Sequence, residues 1–264
     1  MAFRKALMSL SSSAIVTRLR AAGCVFAEDE ARLLTAAART PADLSAMVDS
    51  RAAGLPLEHV LGWAEFCGLR VAVDPGVFVP RPRTEFLILQ ATALATPPVV
   101  AVDLCCGTGA LGAALVAALG QVELHAADID PAAVACARRN LAAAGGRVYE
   151  GDLYEPLPAS LRGRVGILLA NVPYVPTGEI ELLPAEARLH EARVALDGGA
   201  DGLDVLRRVT EAAGRWLAPG GHLLFETSER QVPQAVEAVT RTGLIPRVAV
   251  SEEWDATVVI AARP

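Results

Sequence analysis

The sequence lacks the features of a membrane, secreted or zinc-containing protein. Its longest apolar stretch, roughly Ala110–Leu119, has about half of the ~20 residues that a helix needs to span a bilayer. Residues 1–17 contain basic residues and serines but no continuous apolar core, so we expect no signal peptide. The five cysteines show no CxxC or Cys/His metal spacing, which favours a reducing, cytoplasmic setting. Adjacent cysteines rarely form an unstrained disulfide, and we interpret Cys105 and Cys106 as small packing residues.

The sequence also lacks an excess of positive charge. It has 24 Lys and Arg against 30 Asp and Glu, which gives a net charge of −6. A protein that binds bare nucleic acid usually presents a basic face to the phosphates, so we expect no direct DNA binding. The length of 264 residues is sufficient for one large domain and a smaller one.

Residues 1–62 have the pattern of a small helical N-terminal domain. Apolar residues recur there at helical spacing, as at Ile15, Leu19 and Ala22. Thr40 followed by Pro41 is typical of a helix start, with Thr40 as the N-cap and Pro41 in the first helical position.

Residues 66–79 are rich in valine and have a β-like pattern, and a turn is predicted at Asp74-Pro75-Gly76 between two short strands. We therefore predict a β-hairpin linker at residues 63–84. A third region, residues 85–264, would then form the main domain.

Predicted strands and helices alternate beyond residue 85. The strands are expected at 99–104, 122–127, 165–170, 222–226, 248–250 and 257–261. The helices are expected from the glycine turn to about residue 119, at 131–143 and at 229–242. This alternation indicates an α/β fold with a mostly parallel, doubly wound sheet. Ligands of such sheets bind beyond the carboxyl ends of the strands, at the switch point.

The turn after the strand at 99–104 is rich in glycine. Gly107 and Gly109 would allow the backbone to approach a ligand closely, and Asp128, at the end of the next strand, suits a ribose diol. With Gly112, the loop formally matches GxGxxG. The loop alone therefore leaves three alternatives open: a nicotinamide or flavin cofactor, another nucleoside ligand, or a simple tight turn.

The most informative segment follows the strand at 165–170 and reads Asn171, Val172, Pro173 and Tyr174. An amide nitrogen is a poor nucleophile because its lone pair is delocalised into the carbonyl. The side-chain carbonyl of Asn171 and the backbone carbonyl of Val172 could accept from its N–H groups and stabilise positive charge that develops on the nitrogen. Pro173 biases Val172 toward an extended conformation, and Tyr174 offers a flat ring for a planar group. The alternative is an ordinary Asn/Pro turn with Tyr174 as packing.

Charged residues elsewhere have simpler interpretations. Asp197, Asp201 and Asp204 are spaced like metal ligands, but their glycine-rich context favours turn and cap roles, so we predict no metal site. Glu226 could position a substrate, although we expect an ordinary carboxylate at the end of a strand.

Two further segments complete a recognisable pattern: FVPRPRTE at 78–85 and ALDGGADGL at 195–203. Together with the loop at 103–109 and the motif at 171–174, they resemble the HemK/PrmC family of protein-(glutamine-N5) methyltransferases, which act on peptide-chain release factors. The resemblance extends from about Leu57 to the end of the sequence. The N-terminal helices match in character more than in residues.

The resemblance implies a class I methyltransferase fold and S-adenosyl-L-methionine as cofactor. The implied catalytic residues are Asn171, Val172, Pro173 and Tyr174. The implied cofactor-binding residues are Asp103, Cys105, Cys106, Gly107, Thr108, Gly109, Asp128, Asp152, Leu153 and Asn171. It also implies a protein substrate, namely a release factor or another translation protein, that the helical N-terminal domain helps to grip. We expect a cytoplasmic monomer.

The sequence departs from the family pattern at four positions. Val172 replaces the first proline of Asn-Pro-Pro-Tyr, Cys105 replaces a loop glycine, Arg83 replaces an acidic residue, and Ala192 replaces a proline. Two other functions stay open: an amino-methyltransferase acting on adenine N6 or guanine N2, since a base also presents a planar NH₂ group, and a non-catalytic cofactor-binding module. The acidic composition and the segment at 78–85 favour the protein substrate.

Overall fold

The structure is a computed structural model and describes residues 11–264. Most of the segment in which we expect no signal peptide therefore lies outside the described residues. Within the described part of the chain, no helix combines the length and the apolar character that crossing a membrane requires.

The chain begins with helices that pack on one another. They are α1 Ser12–Ala21, α2 Ala27–Ala37, α3 Pro41–Ala52 and α4 Leu57–Leu61. The predicted start of α3 is confirmed, because the Thr40 side chain accepts a hydrogen bond from the Asp43 N–H at 3.1 Å and Pro41 occupies the first turn. Their shared core includes the buried Ile15, Leu19 and Leu34. Ala22 lies after the end of α1 and is exposed, so the helical repeat stops at Leu19.

A β-hairpin follows, but the predicted position of its turn is wrong. Strands β1 Trp63–Phe66 and β2 Leu69–Ala72 are antiparallel and are joined by Cys67 and Gly68. Both residues have positive φ angles, 49° and 71°, as the tight turns that match strand twist require. The segment Asp74-Pro75-Gly76 forms a separate turn, closed by a 3.1 Å bond from the Val77 N–H to the Asp74 carbonyl.

A sheet of seven strands forms the centre of the remaining chain, and the predicted fold class is confirmed. The strands are β3 Val99–Leu104, β4 Val122–Asp128, β5 Arg147–Glu150, β6 Val165–Ala170, β7 Leu217–Glu226, β8 Ile245–Ser251 and β9 Ala256–Ala262. Their spatial order is β5-β4-β3-β6-β7-β9-β8. Neighbouring strands from β5 to β7 are parallel, whereas β9 is antiparallel to both β7 and β8.

Helices cover both faces of this sheet. They are α5 Glu85–Leu94, α6 Ala110–Leu119, α7 Pro131–Leu141, α9 Asp204–Trp216 and α10 Val232–Arg241, whereas α8 Ala185–His190 has no buried residue. Side chains of one strand alternate between the two faces. Ala101 accordingly packs in the core beneath α5 and α6, while Val102 packs in the core beneath α9 and α10.

The order of the strands places the switch point between β3 and β6. The chain runs from β3 to β4 on one side, and β6 adds on the other side. The connections therefore diverge at the carboxyl ends of β3 and β6, where α/β sheets bind their ligands. Both the glycine loop and Asn171 begin at this edge.

Candidate active site

The loop after β3 has the left-handed backbone that its glycines predict. Gly107 and Gly109 have φ angles of 53° and 77°, and Cys105 has 53°. Cys105 thus adopts a conformation that favours glycine, at the position where the resembled family has one. The buried Cys106 keeps a protonated thiol, because burial raises its pKa well above the ordinary value. All five cysteines are free thiols.

Two glycines of the loop region allow close packing. A Cβ on Gly109 would lie 3.0 Å from Cγ of Leu141, and a Cβ on Gly112 would lie 3.0 Å from Cδ2 of Leu124. Gly112 therefore brings α6 against the sheet. This packing explains the formal GxGxxG match without requiring a dinucleotide.

Two aspartates shape the loop through backbone N–H groups. The Asp103 carboxylate accepts from the Gly112 N–H at 3.0 Å, while Asp128 accepts from Gly107 at 2.8 Å and from Asp130 at 2.9 Å. Burial, opposed by these hydrogen bonds, raises the pKa of Asp128 above its ordinary value. Asp128 ties the end of β4 to the glycine loop of β3.

A cavity of about 650 Å³ opens between this loop and the end of β6. Most of the predicted site residues line it: Cys105, Cys106, Gly107, Thr108, Asp128, Asp152, Leu153, Asn171, Val172, Pro173 and Tyr174. Asp103 and Gly109, which were also predicted to bind the cofactor, are not part of the lining. The volume lies within the roughly 300–1,000 Å³ of small-molecule sites.

The two residues predicted to supply acceptors for an amide line this cavity. Asn171 and Val172 follow the last residue of β6 and line the cavity. Among the described residues, none donates a hydrogen bond to the side-chain carbonyl of Asn171 or to the backbone carbonyl of Val172. Both oxygens are therefore free to accept from a ligand.

Tyr174 is held by its hydroxyl group. Arg83 donates to this hydroxyl, which in turn donates to Oε1 of Glu226 at 3.3 Å. Burial and the Glu226 carboxylate raise the pKa of Tyr174 to about 12, although Arg83 opposes the effect. Tyr174 is therefore a neutral phenol at physiological pH.

The glycine-rich segment at 195–203 supports the backbone of the site. A Cβ on Gly198 would lie 2.7 Å from the Pro173 carbonyl oxygen, and one on Gly202 would lie 2.2 Å from that of Tyr174. The Gln231 amide donates to the same Tyr174 carbonyl at 2.9 Å. These contacts require glycine and fix the path of the chain after Asn171.

Asp197 and Asp201 have the predicted turn role, because they accept from the N–H groups of Gly199 and Leu203, whereas the Asp204 side chain makes no cap bond to α9. Asp197 accepts from Thr177 at 2.6 Å and from the Gly199 N–H, while Asp201 and Asp204 pair with Arg207. In the described part of the chain, no cluster of three or more His, Cys, Asp or Glu side chains could hold a metal ion.

Glu226 is the last residue of β7, as expected, but its carboxylate is buried and paired. Its side chain is only 5% exposed. Oε1 accepts from Nε of Arg83 at 2.9 Å, and Oε2 accepts from the Thr84 hydroxyl at 2.7 Å. The sequence shows that Arg83 reverses the charge of the family pattern. It does not show that Glu226 is the partner of Arg83, because 143 positions separate the two residues.

Two further ion pairs at the cavity were not predicted. Arg208 donates to Asp152 at 2.6 Å, and both residues line the cavity. Arg81 donates to the buried Glu191 at 2.7 Å, and Ala192, the next residue, bonds to the Gly76 carbonyl at 3.0 Å. The backbone at Ala192 is therefore anchored although proline is absent.

Comparisons with known proteins agree with this geometry. A family model described as methyltransferase small domain matches residues 69–201, which include the glycine loop and Asn171. The release factor glutamine methyltransferase of Geobacter sulfurreducens is 38% identical over 77% of this chain and 72% of that protein. The one from Mycolicibacterium smegmatis is 40% identical over 81% and 78%, respectively.

Solved structures share the fold. A 16S rRNA N2 methyltransferase from T. thermophilus, in complex with AdoMet and guanosine, superposes with a TM-score of 0.54. The two chains are 21% identical over 76% of this chain and 50% of that one. This likeness concerns the architecture of the sheet and its helices.

Proposed function

The chain belongs to the family of release factor glutamine methyltransferases, and we propose that it methylates the side-chain amide nitrogen of a glutamine in a peptide-chain release factor. S-adenosylmethionine is the cofactor, and it supplies an activated methyl group on a sulfonium centre. The reaction replaces one of the two amide hydrogens with this methyl group and releases one proton.

The residues of the cavity fit this cofactor. The loop from Cys105 to Thr108 presents backbone, with left-handed positions that let a ligand approach closely. We assign Asp128 to the ribose hydroxyls, because a carboxylate already bonded to two N–H groups keeps lone pairs for further donors. Asp152 and Leu153 line the same side and are assigned to the adenine end.

The single observation that carries the proposal is the pair of free oxygens at Asn171 and Val172. Each can accept from one N–H of a planar NH₂ group, which turns the nitrogen lone pair toward the cofactor. The two acceptors also stabilise the positive charge that grows on nitrogen during transfer. Tyr174 lines the same cavity and offers a ring against the plane of the amide.

The mouth of the cavity suits a protein rather than a free small molecule. Ile129 and Val194 line the cavity and remain 51% and 48% exposed. Exposed apolar side chains around a site are typical of surfaces that bind other proteins. This observation supports the protein substrate over a nucleic acid.

We also propose that the helices of residues 1–62 help to grip the substrate. Nη1 of Arg51 in α3 donates to Oε1 of Glu186 at 2.6 Å, and Glu186 lines the cavity. Glu30 of α2 holds the same guanidinium through Nε at 2.6 Å. The helical unit is thus connected to the rim of the site by the buried Arg51 and the half-exposed Glu186.

The setting proposed for the reaction is a cytoplasmic monomer. Free thiols at all five cysteines support a reducing compartment. Light scattering on the purified protein tests the monomer, with 27.5 kDa as the expected mass.

A labelling experiment tests the substrate. The protein is incubated with labelled S-adenosylmethionine and, in parallel, with a release factor, a ribosomal extract and DNA. We expect label on the release factor, and mass spectrometry should place it on a glutamine side chain. Replacing that glutamine with asparagine in the release factor should remove the label. Label on nucleic acid alone would contradict the proposal.

Asn171→Ala tests the acceptor directly. It removes one of the two oxygens, and loss of one such group in other enzymes costs about 10²–10³ in kcat. We expect a loss of this size, with the melting temperature nearly unchanged. Gln121→Ala is the matched control, because it removes an exposed amide just before β4, at the amino ends of the strands. Full activity of Asn171→Ala would refute the proposed role.

A further inference from the structure

Arg83 and Tyr174 lie between two cavities. Both residues line the 650 Å³ cavity that contains Asn171, and both line a second cavity of about 480 Å³. The second cavity is bounded by residues that follow β7 and by residues around the start of β9. The two side chains therefore form a shared wall.

Hydrogen bonds join both residues of this wall to Glu226. Arg83 donates through Nε to Oε1 of Glu226 at 2.9 Å and through Nη2 to the hydroxyl of Tyr174. The Tyr174 hydroxyl donates to the same Oε1 at 3.3 Å, and the Thr84 hydroxyl donates to Oε2 at 2.7 Å. The three side chains of Arg83, Tyr174 and Glu226 thus form a closed ring of contacts.

Arg83 makes these two contacts through two different nitrogens of one planar group. The guanidinium presents several N–H donors in a rigid fork, whereas lysine presents one nitrogen on a flexible stem. The charge also matters, because Glu226 is a buried carboxylate and Arg83 is the cation that pairs with it. An acidic residue at position 83, as in the resembled family, would place two carboxylates side by side here.

We infer that Arg83 is a positioning residue for methyl transfer: together with Glu226 it fixes Tyr174, and thereby the plane of the target amide relative to Asn171. The inference rests on the proposed function, because it assigns the Tyr174 ring to the amide. The segment after Asn171 is held at its backbone by Gly202 and Gln231. The Tyr174 ring is held at its hydroxyl by Arg83 and Glu226, and we call these two side chains the clamp. The clamp therefore controls the orientation of the ring, which the backbone contacts leave free.

The test compares Arg83→Lys with the wild-type protein. Lysine keeps the charge but replaces the rigid two-nitrogen fork with one mobile ammonium group, so we expect kcat for the release factor to fall about 10-fold to 10²-fold, the cost of a small misplacement. The affinity for S-adenosylmethionine should stay within about twofold, because Arg83 acts on the amide side. The double variant with Arg83→Gln and Glu226→Gln should lose little more kcat than either single variant, since each change alone already disables the clamp.

A spectroscopic readout separates positioning from general stability. The chain contains three tyrosines, so protein labelled with 3-fluorotyrosine gives three ¹⁹F signals, and Tyr174→Phe assigns one of them. In Arg83→Lys this signal should shift or broaden, while those of Tyr149 and Tyr154 stay in place. Arg164→Lys is the control, because it alters an exposed pair with Glu123 near the amino ends of the strands.

The outcomes are distinct. An unchanged Tyr174 signal in Arg83→Lys, or kcat equal to that of Arg164→Lys, overturns the clamp. If the wild-type protein labels no release factor, the proposed function fails, and the Tyr174 signal still decides whether Arg83 holds the ring. If all three signals collapse in Arg83→Lys, the role is structural and the inference is refuted.

Discussion

Asp103→Asn should make the protein more stable, and increasingly so as the pH rises. The Asp103 side chain is buried behind the glycine loop, with Oδ2 bonded to the Gly112 N–H at 3.0 Å. Oδ1 has no hydrogen-bond partner among the described residues. Burial, opposed by the Gly112 bond and reinforced by Asp128, raises the pKa of Asp103 from 3.8 to about 7. The folded protein therefore prefers the neutral acid.

The raised pKa determines both the size and the sign of the effect. One pH unit of difference in pKa corresponds to about 1.4 kcal/mol, so ionisation of Asp103 costs the folded state about 4 kcal/mol. The stabilisation by neutral Asp103 is fully present below about pH 4 and is lost as the pH rises through 7. Between pH 5 and pH 8 the loss should be about 3 kcal/mol. Asparagine keeps an acceptor for Gly112 and does not titrate.

Urea denaturation at pH 5 and pH 8 measures this effect. The free energy of unfolding of Asp103→Asn, minus that of the wild-type protein, should increase by about 3 kcal/mol over this range. Titrations of groups that do not interact with Asp103 cancel in the difference. Asp29→Asn, at an exposed carboxylate of α2, should show a difference that hardly changes. A constant difference for Asp103→Asn would refute the reasoning. Cofactor affinity, measured on the same samples, tests whether Asp103 also binds S-adenosylmethionine.

Two further changes test the supports of the site. Gly202→Ala would place a Cβ 2.2 Å from the Tyr174 carbonyl oxygen and 2.4 Å from Nε2 of Gln231, at a φ of 78°. The free energy of unfolding should fall by about 2 kcal/mol or more in a denaturation assay, and kcat should fall strongly in an activity assay. Arg51→Met leaves Glu30 buried without its cation, so the free energy of unfolding should fall by about 3–5 kcal/mol, and KM for the release factor should rise if the helical unit grips it.

Matched controls exist for both changes. Gly214 lies inside α9 with open space at its Cβ position, so Gly214→Ala should stabilise the protein by about 0.5–1 kcal/mol. Arg18 and Asp49 form an exposed pair, with side chains 47% and 52% exposed, so Arg18→Met should cost less than about 1 kcal/mol. If either control behaves like its test variant, the local explanation for that site is wrong.

The parts of the fold that sequence predicts well are those with a local physical cause. Strands β3 and β6 have the predicted bounds, because each is a short buried apolar run. Helix α6 begins directly after Gly109, and α3 begins at the Thr40 cap. In each case, neighbouring residues alone determine where the element starts.

The parts that sequence missed depend on distant or polar partners. Strand β5 reads Arg-Val-Tyr-Glu and has no fully buried residue, so it lacks an apolar run. The hairpin turn at Cys67 has no asparagine or glycine at its first position, where type I′ turns favour them. Glu226 acquires its role from Arg83, far away in sequence. No local pattern carries such information.

Three of the four departures, Val172, Cys105 and Arg83, favour an active enzyme over a non-catalytic binding module, because each retains what the chemistry needs. Val172 keeps its carbonyl, and Pro173 still biases it toward an extended backbone. Cys105 adopts the left-handed conformation of the glycine it replaces, so the loop keeps its path at some cost in strain. Arg83 reverses a charge, but the buried Glu226 balances it. Two of these changes preserve backbone geometry, and the third acts on the wall that orients the substrate. We therefore expect the departures to alter which glutamine context is accepted before they alter methyl transfer itself, and activity on release-factor peptides of varied flanking sequence measures that directly.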